Sequence, residues 1–339
     1  MRRPFVLRAA LTVGLLGLLL VLEKVFPHLI NQYAARLMIL SGINIMLAVS
    51  LNLINGFTGQ FSLGHAGFMA IGGYTSGYFA ITAGPRVLSA LGATPTDPGA
   101  GAALMLVLGL LIGGGAAALA GLLIGIPTLR LRGDYLAIAT LGLGEIIRVV
   151  ILNIEAVGGA RGLNNIPSYT SFFWVYLMVA LTIVVNWNLV RSRHGRALLA
   201  VREDEVAAES LGVPTTRYKV LAFTVGAAFA GMAGSLFAHY LRYLNTNSFS
   251  FLKSFEVVIM VVLGGMGSIT GSVSAAILLT LLPEFLRPIK AYRMVIYALL
   301  LVLLMLLRPQ GIFGAGEPNP RALLRRLWPR RAPAPGGGS

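Results

Sequence analysis

The chain has 339 residues, 56% of them hydrophobic and 12% charged, with a formal net charge of +15 and no cysteine. Soluble domains carry about 25% charged residues, so this composition excludes an ordinary water-soluble domain, and the missing thiol excludes disulfides, thiolate catalysis and Cys-based metal sites. The positive charge is read as basic loops held on the cytoplasmic side and attracted to anionic membrane lipid, with no nucleic-acid partner.

Runs of eighteen or more mostly apolar residues recur along the chain, each long enough to cross a hydrocarbon core of about 30 Å. The expected fold is therefore all-α, a polytopic transmembrane helix bundle. At the N-terminus, basic residues precede an apolar run to Phe26 without a small-residue cleavage site, which predicts a retained first span. Spans are expected at about 5–26, 33–54, 64–82, 102–126, 135–155, 172–190, 220–242 and 291–307, about eight full crossings. The pairs Gly73/Gly77, Gly109/Gly113, Gly121/Gly125 and Gly267/Gly271 have the four-residue spacing of a helix contact face, read here as ordinary bundle packing.

The stretch 52–78 mixes glycine and aromatic residues with Asn52, Asn55, Gln60, Ser62 and His65 but carries no charged side chain, so it is expected to dip into the bundle. Further on, Glu145 and Arg148 stand i,i+3 inside an apolar helix. Ionisable residues at such depth are expensive, and opposite charges at this spacing pair. Glu145 then either lines a polar route or closes an ion pair.

Residues 191–219 form a hydrophilic island in which Arg202, Glu203, Asp204, Glu205 and Glu209 crowd together. Good helix formers predict one helix over about 197–211, stopped by Gly212 and Pro214. With the N-terminus inside, this loop, the loop 126–134 and both termini hold seventeen Lys and Arg against nine on the other side, the expected positive-inside bias. Parity then requires the apolar region 256–286 to start and finish outside. Its Gly264-Gly265-Met266-Gly267 break predicts a broken or re-entrant hairpin, since non-helical backbone at that depth must be buried in protein or line a cavity; a full extra crossing would instead put the C-terminus outside. Residues 1–315 thus form one membrane domain with a cytoplasmic loop at 191–219, and the Pro/Arg/Gly-rich 316–339 is a disordered tail.

None of the four lysines follows a glycine, so no phosphate-binding loop of the Walker type is present. His28, His65, His194 and His239 show no ligand spacing, and neither a catalytic triad nor paired catalytic carboxylates stand out. An enzyme is a poor reading.

Ala207, Ala208 and Gly212 match the E-A-A-x-x-x-G segment by which importer-type ABC permeases dock onto their ATPase; Val206 takes the Glu place and Glu205 stands one residue earlier. The surrounding runs N-L-I-N-G-F-T-G-Q-F-S-L-G-H-A-G-F, L-R-G-D-Y-L-A-I-A-T-L-G-L-G-E-I-I-R, G-G-M-G-S-I-T-G and R-P-Q-G-I-F-G resemble the LivM-type permeases of branched-chain amino acid ABC importers over roughly 30–315. That resemblance implies a LivH-type permease partner, two ABC ATPase subunits and an extracytoplasmic substrate-binding protein in a bacterial inner membrane. ATP and Mg²⁺ would sit on the ATPases, with no cofactor on this chain. It also implies an ATPase-docking set of Arg196, Arg202, Glu203, Asp204, Glu205, Ala207, Ala208 and Gly212. Polarity and helix breaks suggest a substrate path through Asn52, Asn55, Gln60, Ser62, His65, Glu145, Gly264, Gly265 and Gly267. Related permeases serve urea and short amides, which keeps that alternative open beside branched-chain amino acids. An ion-coupled carrier would need a chain of intramembrane carboxylates, which is missing, and an uncoupled channel would need no docking helix.

Overall fold

The computed structural model describes residues 31–90, 100–131, 133–286 and 292–307, with isolated positions at 17, 23, 311 and 314. In chain order the helices are α1 Gln32–Asn52, continued by a π-helical turn Leu53–Phe57, α2 His65–Thr82, α3 Gly84–Ala90, α4 Ala100–Thr128, α5 Asp134–Asn153 and α6 Phe172–Arg191. There follow α7 Arg193–Glu203, α8 Glu205–Ser210, α9 Thr215–Leu241, α10 Phe251–Gly264, α11 Ile269–Phe285 and α12 Arg293–Leu307. The fold is all-α, with only an isolated bridge between Leu163 and Leu244 as extended pairing among the described residues.

Six of these segments are long and apolar enough to cross a membrane: Gln32–Phe57, Gly101–Thr128, Asp134–Asn153, Phe172–Arg191, Thr215–Leu241 and Thr246–Gly264. These six, counted among the described residues, do not confirm the expected count of about eight. The expected spans at 33–54, 102–126, 135–155, 172–190 and 220–242 fall on five of the six. The stretch 64–82 does form a helix, but its glycines and hydroxyl residues keep it outside this class, and α12 has only 15 residues. The expected span 5–26 and tail 316–339 lie outside the described residues.

Small residues hold the bundle together. On α4, Gly109, Gly113, Gly121 and Gly125 press against His239, Ser235, Ala227 and Phe223 of α9, so the two helices run antiparallel in close contact. Helix α2 wedges into the same junction, where the Ser235 hydroxyl stands within 3.1–3.4 Å of the Gly72, Gly109 and Gly231 carbonyl oxygens. Lipid offers no hydrophobic drive between helices, so such close backbone approach supplies the attraction. Gly267 departs from the expected contact face: it lies outside any helix, at φ +87°.

Helix α1 is the axis of the remainder, buried from Ser41 to Asn52. Helix α6 lies against it at Gly42, where Val175 fills the space a side chain would need. Helices α10 and α11 form the expected broken hairpin along α1. Lys253 on the first limb and Thr280 on the second both reach Asn44, whereas Gly267 and Ser268 at the turn reach Asn52. Gly265 and Gly267 supply the positive φ values of the turn, a conformation open to glycine at little cost. The Ser268 hydroxyl then accepts the Gly271 N–H at 3.1 Å and starts α11.

Candidate functional site

The polar residues of 52–65 build a folded knot beside the hairpin turn. Asn52 accepts the Gly267 N–H at 2.9 Å through Oδ1 and donates through Nδ2 to the Ser268 carbonyl at 2.9 Å. The Gly267 N–H stands at the helix break, outside any helix, while the Ser268 carbonyl also accepts the Ser272 N–H of α11 at 3.1 Å. Gly56 sits so close that a side chain there would overlap Asn52 Oδ1 and the Gly267 nitrogen. Asn55 pairs with Ser62 in both directions, accepting its N–H at 3.2 Å and donating to its carbonyl at 3.4 Å. The Gln60 N–H reaches the Ile54 carbonyl, and Thr58 Oγ donates to Leu53. His65 Nε2 meets the Ser50 hydroxyl at 2.9 Å, and the first turn of α2 is tied to α10 where the Ala66 N–H reaches Ser254.

Of the expected substrate-path residues, the structure brings Asn52 onto Gly267, in the turn that Gly264 and Gly265 begin, and places Asn55, Gln60, Ser62 and His65 in the adjoining segment. All five polar side chains are buried. Asn52, Asn55, Gln60 and His65 Nε2 bond within the protein and shape the knot, whereas Ser62 Oγ and His65 Nδ1 are buried with no hydrogen-bond partner among the described residues. Glu145 stands apart on α5. It pairs with Arg148 at 2.7 Å, and its other oxygen accepts the Phe251 N–H at 3.0 Å. A carboxylate at the first N–H of α10 also meets the favourable end of that helix dipole.

The hydrophilic island folds against the knot. The single helix expected over 197–211 is instead two, because Asp204 takes an extended backbone and its Oδ1 accepts the N–H groups of Val206 and Ala207 at 2.9 and 3.0 Å. Asp204 is thus an N-cap, a use that competes with its expected place on a docking face. Arg202 donates from Nη1 to the Gly56 carbonyl at 3.1 Å while Nη2 pairs with Glu203 at 2.6 Å. Glu205 is bound to Lys219 at 2.6 Å, and Lys219 is only 2% exposed. Ala208 also faces inward. Arg196, Glu203, Ala207 and Gly212 remain exposed, joined by two apolar residues, Val206 at 59% and Leu211 at 85% exposure. Val206 and Leu211 thus face outward, open to another surface, whereas Leu198 and Val201 turn into this chain.

Sequence reasoning passed over a second polar group. Lys253 Nζ lies 3.0 Å from Glu256 and 2.9 Å from Asn44 Oδ1, and Asn44 Nδ2 donates to Thr280 Oγ at 2.9 Å. The four residues line a cavity of about 300 Å³ between α1, α10 and α11. The i,i+3 spacing of Lys253 and Glu256 in an apolar helix was a signal of the kind that singled out Glu145 and Arg148.

A bundle of apolar helices, broken by a buried polar turn and bearing a capped hydrophilic element at one end, defines a multi-pass membrane protein of the permease class. Residues 33–307 match the model of the family described as branched-chain amino acid transport system / permease component, and the chain belongs to that family. It is 38% identical over 336 residues to the Escherichia coli high-affinity branched-chain amino acid transport system permease protein LivM, covering 89% of this chain and 75% of that protein. The Salmonella typhimurium LivM is 37% identical over the same shares. The E. coli permease protein LivH is 32% identical over 158 residues, 45% of this chain and 50% of that protein. No solved structure matches.

Proposed function

We propose that this chain is one permease subunit of an ATP-driven importer of branched-chain amino acids. It pairs with a LivH-type permease, two ABC ATPase subunits that carry ATP and Mg²⁺, and an extracytoplasmic substrate-binding protein. The observation that carries the reading is the line of contact from the capped element α7–α8 to the helix break. Arg202 holds Gly56, Gly56 abuts Gly267, and Asn52 binds the hairpin turn at Gly267 and Ser268. A partner that moves α8 through Val206, Ala207 and Leu211 thereby moves the buried turn.

The topology we infer rests on the charge bias and parity of the sequence. The C-terminus and α7–α8 face the cytoplasm of a bacterial inner membrane. Helices α1, α2, α4, α5, α6, α9 and α12 cross, and α10–α11 enters and leaves on the outer side. Support for the hairpin is that Lys253 and Thr280, on its two limbs, meet the same Asn44. The intramembrane charges Glu145, Arg148, Lys253 and Glu256 are all paired, which favours drive by ATP over an ion-coupled carrier.

The test is co-expression with the neighbouring operon products, followed by uptake of labelled leucine and urea with and without the ATPase subunits. ATPase-dependent leucine uptake is expected. Uptake that persists without the ATPases overturns the importer reading, and ATPase-dependent uptake of urea alone replaces the substrate.

A further inference from the structure

Lys253 and Glu256 pose a physical question that the contact line at the helix break leaves unanswered. A cation and an anion inside an apolar helix are costly even when paired, and packing alone would be served as well by apolar side chains. Here the pair borders a cavity of about 300 Å³, at the small end of the roughly 300–1,000 Å³ usual for small-molecule sites. Lys253 is 19% and Glu256 35% exposed, so neither is sealed in. Asn44, Ser248 and Thr280 add polar groups to the lining, and Leu40, Ile43, Met69, Phe237 and Leu279 supply an apolar wall.

We propose that this cavity is a transit site for an α-amino acid zwitterion. The ligand's carboxylate meets Lys253 Nζ and Asn44 Nδ2, its ammonium meets Glu256, and its aliphatic side chain lies on the apolar wall. When empty, the site closes on itself through the 3.0 Å ion pair, so no buried charge is left uncompensated. An arriving zwitterion replaces that single pair with two charge-assisted contacts. Because the internal pair competes, binding is weak, as release to the other side requires. The site stands on α10, the limb whose far end is held at Asn52, so a moving turn reaches the ion pair through one helix. The assignment rests on the importer reading and adds to it the residues that hold the substrate in passage.

The test uses the full importer in proteoliposomes, scored as leucine transported per ATP hydrolysed. Lys253→Met and Glu256→Gln are each expected to lower that ratio about tenfold or more, the effect of one lost charge-assisted contact. A structural ion pair alone would lower assembly and leave the ratio of the assembled complex unchanged, and that result overturns the site. Independently of those variants, Thr280→Cys gives this otherwise cysteine-free chain a single thiol. Leucine is expected to slow its labelling by a small maleimide, whereas 4-methylpentanoate and 3-methylbutylamine, each bearing one of the two charges, are not. Equal protection by all three, or by none, overturns the zwitterion site. A wild-type complex that moves no leucine overturns the importer reading and the site with it.

Discussion

The Arg202 guanidinium donates to the carbonyl oxygen of Gly56 at 3.1 Å, across 146 positions of sequence. One end of that bond belongs to the hydrophilic element α7, the other to the π-helical turn that ends α1. The carbonyl of a π-helical turn has no regular α-helical partner, and the arginine fork supplies a donor. Through it, the hydrophilic element touches the turn that abuts the helix break.

Asp204 decides the shape of the docking element. Replacing an N-cap Asp by Ala costs about 0.5–2 kcal/mol, whereas Asn keeps the acceptor. Asp204→Ala is therefore expected to weaken capture of the ATPase subunits by the detergent-solubilised permease, and Asp204→Asn to restore it. Equal capture by the two variants would remove the cap from the account.

The Glu205–Lys219 pair ties α8 to α9 with a lysine that is almost fully buried. Removing one partner of such a pair costs about 3–5 kcal/mol, while replacing both by neutral groups is far milder. Glu205→Gln and Lys219→Met should each lower the thermal transition of the purified permease, and the double variant should recover part of the loss. Additive losses would contradict the coupling.

Gly56 admits no side chain, since one would overlap Asn52 and Gly267. Overpacking of this kind costs about 1–3 kcal/mol or more. Gly56→Ala should destabilise the purified protein measurably, while Gly115→Ala, where nothing stands within 4 Å, should not. The comparison separates a loss of space from a loss of glycine.

Much of this arrangement is legible in the sequence, because it rests on local rules. Apolar length marked five of the six long helices, and the Gly264–Gly267 run together with parity marked the hairpin. The i,i+3 spacing marked the Glu145–Arg148 pair. The break at Asp204 was not legible, since Glu, Ala and Leu on either side favour one continuous helix and only the observed cap shows where it parts. Long-range partners were also hidden. No spacing rule brings Asn44 to Lys253 and Thr280, or Glu145 to the N–H of Phe251, because those meetings depend on how the hairpin lies along α1. The polar residues of 52–65 were legible as unusual, but the partners of Asn52 at Gly267 and Ser268 were not, because no spacing rule reaches across more than 200 positions.

The central claim is that the hydrophilic element and the helix break act as one unit. The most direct measurement is a double-mutant cycle on Arg202→Ala and Asn52→Ala in the assembled importer, read as leucine transported per ATP hydrolysed. Each single variant is expected to lower that ratio several-fold, about the effect of 1 kcal/mol or more of lost contact, and the double variant to fall little further. Independent, multiplying losses would contradict it.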